Sequence, residues 1–300
     1  MIEGPSTQRG EYSLSSLARH CKEMFVAPPG HIFVARDFSG IEAVLVGWLA
    51  GSSKYTRLAK LGVHDYFMAH GILRPAGMIA DADLPDLRWS DDDLRACFRS
   101  LKARFPSERD VAKRVVHLSN YAGTPAKIFE EYPETFTTKQ EASRRQGAYF
   151  ALFPEIPQWH ERLTVQVDQT GYVRAPSGFV MRFFRVRDWS KVDGRWVSKL
   201  GDSGKALIAS VPQHMAAFIG REVLKRLWGG TPIGPYLRLF IHDEILCECP
   251  VALADVVDQR LQAEMEQPIP QLPLDPGWGM GNHLSIGSAG KRGISWGDMH

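Results

Sequence analysis

Two acidic residues stand at the ends of predicted β-strands. Asp37 follows an apolar run over residues 31–36, and Asp243 lies in a tight turn within a strand pair predicted over 236–250. Asp37 has an ordinary explanation, because an acid before an amphipathic segment is a common helix N-cap. The alternative is a metal-binding carboxylate on a rigid element. Asp243 favours that alternative, since two such carboxylates could hold two Mg²⁺ ions about 3.5 to 4 Å apart.

A helix predicted over 107–121 carries chemically active side chains at four-residue intervals. These are Arg109, Lys113, His117 and Tyr121, which fall on one slowly drifting stripe of the helix. A solvated helix face explains such a stripe about equally well. The alternative is a phosphate-binding face, on which Arg supplies a bidentate fork and Lys a point charge. Combined with the two acids, this face predicts phosphoryl-transfer chemistry on a triphosphate.

The composition excludes several classes of protein. The 300 residues are 44% hydrophobic and 23% charged with a net charge of +2, which is ordinary for a globular protein. No apolar stretch approaches the roughly 20 residues that a bilayer span needs, and no signal peptide is recognised. We therefore expect a cytoplasmic protein with no membrane partner.

The elements that must position these residues alternate between helices and short strands. A strand is predicted over 31–37 and a helix over 40–50, with Glu42 in its first turn. Residues 72–100 are acidic and are predicted to form a surface loop without chemistry. The other predicted elements are a short helix at 15–19, a helix ending at Gly71, a helical hairpin over 126–168, a β-hairpin turning at 176–178, helices over 203–228 and 251–267, and a Pro/Gly-rich tail.

Three segments resemble the motifs of family A DNA polymerases, the bacterial polymerase I and phage replicative type. Phe25-Val-Ala-Pro followed by Asp37-Phe-Ser-Gly-Ile-Glu42 resembles the first motif, D-Y-S-Q-I-E; Arg109-x3-Lys113-x7-Tyr121 resembles the second; and His242-Asp243-Glu244 resembles the third. The motifs occur in the family's order and span nearly the whole chain. The ending Trp-Gly-Asp-Met-His resembles the family's C-terminus.

The resemblance implies an α+β fold. It consists of a polymerase palm, an antiparallel sheet flanked by helices, and a mostly helical fingers subdomain. The first part of the palm is expected at 1–42, the fingers at 43–206 and the second part of the palm at 207–300. No thumb or exonuclease domain is matched, so a separate chain is expected to supply the thumb or processivity function.

The resemblance also implies an activity. It is the template-directed addition of dNTPs to a primer 3′-hydroxyl on primer-template DNA, with two Mg²⁺ ions for which Mn²⁺ can substitute, in a bacterial or phage-infected cell. Two alternatives stay open: a catalytically idle nucleic-acid-binding or assembly subunit that keeps the palm fold, and an RNA-synthesising relative. Intact Asp37, Asp243, Arg109 and Lys113 favour the enzyme, and Glu42 favours deoxynucleotides.

The resemblance assigns roles position by position. The metal ligands would be Asp37, the Phe38 carbonyl and Asp243, with Glu244 as a supporting acid. The incoming nucleotide would meet Arg109, Lys113, His117, Tyr121, Glu42 and His64, with Lys113 as general acid for pyrophosphate, Glu42 against the sugar and Tyr121 stacking at the nascent base pair. Primer or template would contact Lys205, Gln213 and His242. The sequence departs from the family at Gly40, usually Gln, and at His117, usually Phe or Tyr.

Overall fold

A computed structural model describes residues 19–299 of the chain, which form two compact units. The sheet unit comprises residues 19–39, Ile219–Gln267 and 287–299, and the helical unit comprises Gly40–Phe218 and Pro268–Ile286. The predicted α+β class is confirmed. Most of the short helix predicted at 15–19 lies outside the described residues, as does the start of the segment 1–42. Within the described residues, every helix is too short or too polar to cross a membrane.

The elements are named here in chain order. The strands are β1 His31–Phe38, β2 Tyr172–Arg174, β3 Val180–Arg182, β4 Arg187–Val192, β5 Arg195–Leu200, β6 Leu237–Ile241, β7 Glu244–Pro250 and β8 Ser288–Gly293. The α-helices are α1 Arg19–Lys22, α2 Ile41–Ala50, α3 Ser53–Leu61, α4 Val63–Phe67, α5 Asp91–Arg104, α6 Pro106–Asn120, α7 Pro125–Glu131, α8 Lys139–Leu152, α9 Glu155–Thr170, α10 Asp202–Gly230 and α11 Ala254–Met265.

The sheet unit is built on four antiparallel strands in the order β6-β7-β1-β8. Strand β1 was predicted, and it lies inside the sheet between β7 and β8, with Val34 and Ala35 completely buried. Strand β8 was not predicted, and it lies within the segment that was expected to form a Pro/Gly-rich tail. Its sequence, Ser288-Ala-Gly-Lys-Arg-Gly, contains no β-branched or aromatic residue, so its strand structure comes from pairing with β1.

A charged network ties helix α11 to the sheet. Asp258 on α11 binds Arg36 Nη1 at 2.6 Å and Arg292 Nη2 at 2.8 Å. Arg36 is 7% exposed, so its charge requires this partner. Burial acts to raise the pKa of Asp258, but the hydrogen bonds from Arg292 and Arg36 outweigh it and lower that pKa. This network thereby fixes β1 at Arg36, the residue that precedes Asp37.

The helical unit contains the larger hydrophobic core, and one prediction fails within it. Residues 91–104 form helix α5 and not a loop. The Ser90 hydroxyl accepts from Asp93 N at 3.1 Å as the N-cap, and the acids that suggested a loop occupy the favourable first turn. Leu94, Phe98 and Leu101 supply a buried face at helical spacing, which the high charge of the segment hid.

The other predicted elements of this unit are largely observed. The hairpin β2–β3 surrounds the predicted turn at 176–178, and α10, which begins in this unit and ends in the sheet unit, covers 203–228. The predicted helical hairpin over 126–168 contains three helices, α7, α8 and α9. A second hairpin, β4–β5, was not predicted.

Candidate active site

In the sheet unit, the predicted acids meet where β1 ends. The β1–β7 register places Asp37 opposite Glu244. The next residue, Phe38, donates its backbone N–H to the Asp243 carbonyl at 3.2 Å. The structure therefore gathers Asp37, Phe38, Asp243 and Glu244 at one end of the sheet, although the chain separates them by about 200 positions. The capping explanation of Asp37 is wrong, because α2 has Gly40 as its N-cap without a side-chain cap.

The turn that carries Asp243 has an unusual backbone. The pair Ile241 and Glu244 encloses a two-residue loop, His242-Asp243, and His242 has φ +55°. A side chain in this left-handed region is uncommon outside turns and special sites. The loop is short, so it leaves Asp243 little freedom to move away from β1.

Glu244 is fully engaged by its neighbours. Its Oε1 accepts from Trp296 Nε1 at 3.1 Å, and its Oε2 pairs with Lys291. Trp296 is itself buried and packs edge-to-face against Phe25, with ring centroids 5.6 Å apart. The role of Glu244 as a metal ligand remains a prediction. Its observed contacts hold Lys291 and Trp296 beside β7. Sequence reasoning missed Lys291, for which no local signal exists.

The carboxylate and carbonyl oxygens at this end of the sheet are ligands that suit a hard divalent cation. Among residues 19–299, no group of three or more His, Cys, Asp or Glu side chains is placed to hold a metal ion. Mg²⁺ does not need such a cage, because it commonly takes one or two carboxylates and completes its shell with water and substrate phosphate. Asp37, Asp243 and the Phe38 carbonyl fit that type of site.

In the helical unit, helix α6 presents the predicted cationic stripe. Its Ala112, Val115 and Val116 are buried, whereas Lys113 and His117 are exposed on another side. The expectation of a wholly solvated face is therefore too simple, since one member of the stripe, Arg109, is tied to a buried acid.

That buried acid, Asp65 on α4, was missed by sequence reasoning. Arg109 Nε donates to Asp65 Oδ1 at 2.9 Å. Burial raises the pKa of Asp65, and the nearby Arg109 opposes this effect. Asp65 thus holds the Arg109 guanidinium at its Nε atom. Only the packing of α4 on α6 reveals the pair, because the partners are 44 positions apart.

His64 lies beside the stripe as an uncharged group. Burial and then the positive charges of Arg109, Lys113 and His117 lower its pKa to about 4. The imidazole is therefore neutral near pH 7, and it adds a hydrogen-bonding group without adding to the repulsion among the cations. The structure thus brings His64 together with Arg109, Lys113 and His117.

Tyr121 and Glu42 form a second pair within the helical unit. Burial and then the neighbouring Glu42 carboxylate raise the pKa of Tyr121 far above its usual value. The Tyr121 hydroxyl is buried without a hydrogen bond of normal geometry. His117 meets the Tyr121 ring edge-to-face, with centroids 5.2 Å apart. Glu42 occupies the first turn of α2, as predicted.

A buried polar network anchors the end of α6 next to Tyr121. Asn120 Oδ1 accepts from Tyr55 at 2.9 Å and from Tyr149 at 2.6 Å. The Asn120 carbonyl lies 2.9 Å from His160 Nε2, which must carry the proton because a carbonyl only accepts. These contacts join four helices, so they fix the position at which Tyr121 leaves the helix.

The network predicts an acid-sensitive stability. Burial lowers the pKa of His160 to about 4, whereas an unfolded histidine has a pKa of about 6.5. The unfolded chain therefore binds the proton first, and the free energy of unfolding should fall by about 3 kcal/mol from about pH 7 to about pH 4 through this group. Thermal unfolding across this pH range measures the change in stability. The variant His160→Gln should reduce the dependence of stability on pH, whereas the control His283→Gln, at an exposed histidine, should leave it unchanged. Equal pH dependence in native and His160→Gln proteins would contradict the role of burial.

The predicted nucleic-acid contacts are placed as follows. Lys205 lies in the first turn of α10, where it binds Asp202 at 2.8 Å, and Gln213 is exposed on the same helix after Pro212. Both belong to the helical unit, whereas the exposed His242 belongs to the sheet unit. Their roles remain predictions.

Comparisons with known proteins agree with the motifs. No protein-family model matches the chain. The chain is 22% identical over 290 residues to DNA polymerase I of Treponema pallidum, and 24% identical over 283 residues to the DNA polymerase of Mycobacterium phage D29. These matches cover 95% and 93% of the chain. The fold is similar to the POL domain of Pol1 from M. smegmatis, solved in complex with DNA primer-template and dNTP, with a TM-score of 0.66, 16% identity and 93% of this chain covered. The predicted resemblance to family A DNA polymerases is confirmed.

The family resemblance is partial in length and departs at particular residues. The chain spans 25% of the Treponema protein, 37% of the phage protein and 42% of the M. smegmatis chain. At position 40, where family A polymerases usually have Gln, the glycine has φ +63°, which a side chain rarely adopts. The backbone at this helix start therefore explains one departure. Nothing in the contacts of His117 explains the other.

Proposed function

We propose that this chain carries out template-directed DNA synthesis, adding dNTPs to the 3′-hydroxyl of a primer. The observation that carries the proposal is the register of β1 against β7. It brings two acids, each predicted separately, to one end of a sheet. Near-complete coverage by polymerase relatives supports it.

Asp37, Asp243 and the Phe38 carbonyl would hold Mg²⁺, with Mn²⁺ as a substitute. The ions, when bound, would stabilise charge on the attacking and leaving oxygens of an in-line displacement. The protein supplies rigidity: Arg36 is fixed by Asp258, and the Asp243 backbone is fixed by Phe38. A carboxylate held on such elements keeps its geometry without reorganisation during the reaction.

The cationic stripe would receive the triphosphate. Arg109 keeps guanidinium nitrogens beyond the one bound to Asp65, and these can donate to phosphate oxygens. Exposed Lys113, one turn along, would neutralise charge and pass a proton to the departing pyrophosphate. Neutral His64 would donate one further hydrogen bond.

Glu42 would lie against the sugar of the incoming nucleotide, and Tyr121 would stack at the nascent base pair. We expect Glu42→Ala to lower the preference for dNTPs over NTPs by about tenfold or more, because a carboxylate beside the sugar disfavours an added 2′-hydroxyl sterically and electrostatically. Competing primer extension with matched dNTP and NTP measures the ratio. Glu130→Ala, an exposed acid in the same unit, is the control. Equal use of both nucleotides by the native chain would contradict the role of Glu42 and favour the RNA-synthesising alternative.

Primer extension with the native chain tests the whole proposal. The assay uses Mg²⁺, dNTPs, low salt and a high concentration of protein. Low salt is used because a DNA contact made chiefly by cations is strongly salt-dependent. Extension that requires template, Mg²⁺ and all matched dNTPs supports the proposal. Absence of extension under these conditions would overturn it in favour of an idle nucleic-acid-binding subunit.

A further inference from the structure

Hairpin β4–β5 in the helical unit presents an aromatic surface that the proposed active site does not use. Its strands are joined by Asp193-Gly194, both with positive φ, at +48° and +79°. This two-residue loop is of the type that favours hairpins with native twist. Val192 pairs with Arg195 directly across the loop, so the register of the hairpin is fixed.

The register puts two tryptophans on one face. Trp189 lies opposite Ser198, and Lys191 lies opposite Trp196. Residues directly opposite each other point to the same side of a sheet, as do alternate residues along a strand. Trp189 and Trp196 are therefore diagonal neighbours. They are 60% and 68% exposed.

The base of the hairpin is fixed while this face stays open. Arg187 binds Glu161 on α9 at 2.6 Å, and the Gly201 N–H donates to the Val186 carbonyl at 3.0 Å. Val186 is buried in the core of the helical unit and Leu200 packs against that core. An isolated two-stranded hairpin is marginal in water, so this anchoring keeps the indoles in place.

The charges beside the indoles indicate the occupant. Residues 187–200 contain four Lys or Arg and two Asp, which gives +2. Among the described residues, Lys191 is exposed on the indole face and forms no ion pair, whereas the exposed Arg195 and Lys199 lie on the opposite face by the same register. Lys191 lies two residues from Trp189 on one strand and directly opposite Trp196 on the other, so its charge beside both indoles would repel another cation and attract a phosphate. An apolar protein surface would have to desolvate this ammonium group, which is costly.

We infer that the face formed by Trp189, Lys191 and Trp196 binds single-stranded DNA, with bases stacked on the indoles and phosphate beside the ammonium group. Proteins that bind single strands without sequence preference combine aromatic stacking with cations along the backbone. The inference rests on the proposed function for its ligand, since a polymerase needs an unpaired template strand. It adds a DNA contact outside the nucleotide and metal residues.

The test is binding of fluorescein-labelled oligo(dT), followed by anisotropy in EDTA without nucleotide. The double variant Trp189→Ala/Trp196→Ala should bind about tenfold or more weakly, because stacking contributes about 1 to 3 kcal/mol per base. Both side chains are exposed, so folding should be retained, which thermal unfolding verifies. The variant Trp189→Phe/Trp196→Phe should keep most of the affinity, since a phenyl ring also stacks.

Two further variants complete the design. Trp228→Ala removes a tryptophan that is 72% exposed in the sheet unit and should leave the affinity unchanged. Lys191→Ala should weaken binding and reduce the slope of affinity against salt by about one ion. Unchanged oligo(dT) binding by the double alanine variant would overturn the inference. If the double alanine variant keeps its oligo(dT) binding but sediments as a smaller species than the native chain, the face would be assigned to contact with a second copy of the chain, and the inference would likewise be overturned.

The assay separates this inference from the proposed function. It needs neither metal nor catalysis, so a chain that fails to extend primers but loses oligo(dT) affinity in the double variant would keep the inference and lose the enzymatic proposal. A chain that extends primers but binds oligo(dT) independently of the tryptophans would keep the enzymatic proposal and lose the inference.

Discussion

Replacing Asp243 by Asn is expected to lower the rate of primer extension by about a thousandfold, and Asp37→Asn should have a similar effect. Each substitution removes one of two negative charges that would hold Mg²⁺, and a bound ion contributes several kcal/mol to the transition state of phosphoryl transfer. Asn nearly matches Asp in shape, so the packing is kept. The Phe38 N–H binds the backbone carbonyl of residue 243, which this change does not remove.

The measurement is single-turnover primer extension over a range of Mg²⁺ concentrations, beside thermal unfolding. Asp168→Asn, an exposed acid on α9, is the matched control and should keep native activity. Calorimetric titration with Mn²⁺ adds a readout independent of turnover, in which the native chain binds the ion and both variants bind more weakly. Extension by Asp243→Asn at more than about a tenth of the native rate would contradict the metal role.

Lys113→Ala is expected to lower the extension rate by about a hundredfold with little effect on stability. General acid catalysis typically contributes that much or more. Lys113 is exposed, and among the described residues it forms no ion pair, so its loss leaves no partner unsatisfied. Arg109→Ala is less informative, because it would also strand the buried carboxylate of Asp65.

The variant Lys113→Arg separates charge from proton transfer. Arg keeps the positive charge but is a much weaker acid, so nucleotide affinity should recover while the maximal rate stays low. Lys139→Ala, an exposed lysine at the start of α8, is the control. Full recovery of the maximal rate by Lys113→Arg would assign Lys113 to electrostatic binding alone.

Patterns of short range made the central elements predictable from the sequence. The apolar run of β1, the turn residues before β7 and the helical periodicity of α2 and α6 are each contained within a few turns or strand lengths, so local sequence determines them. The same local patterns located Asp37, Asp243 and the stripe on α6. Where local signals were misleading or absent, prediction failed: α5 was hidden by its acids, and β8 contains no strand-forming residue. The Asp-Gly turn of β4–β5 was a usable signal that was missed.

Only the tertiary structure decided which side chains share a site. Asp37 lies opposite Glu244 in the sheet. Arg109 forms an ion pair with Asp65, and Lys291 forms one with Glu244. Each contact joins residues that are far apart in the chain. Burial, which lowers the pKa of His64 and raises that of Tyr121, is likewise a property of packing. The sequence determined which groups were available for chemistry, because residue type and local periodicity are read from neighbours. The fold decided their partners, charge and exposure, because these depend on contacts between segments that no local pattern encodes.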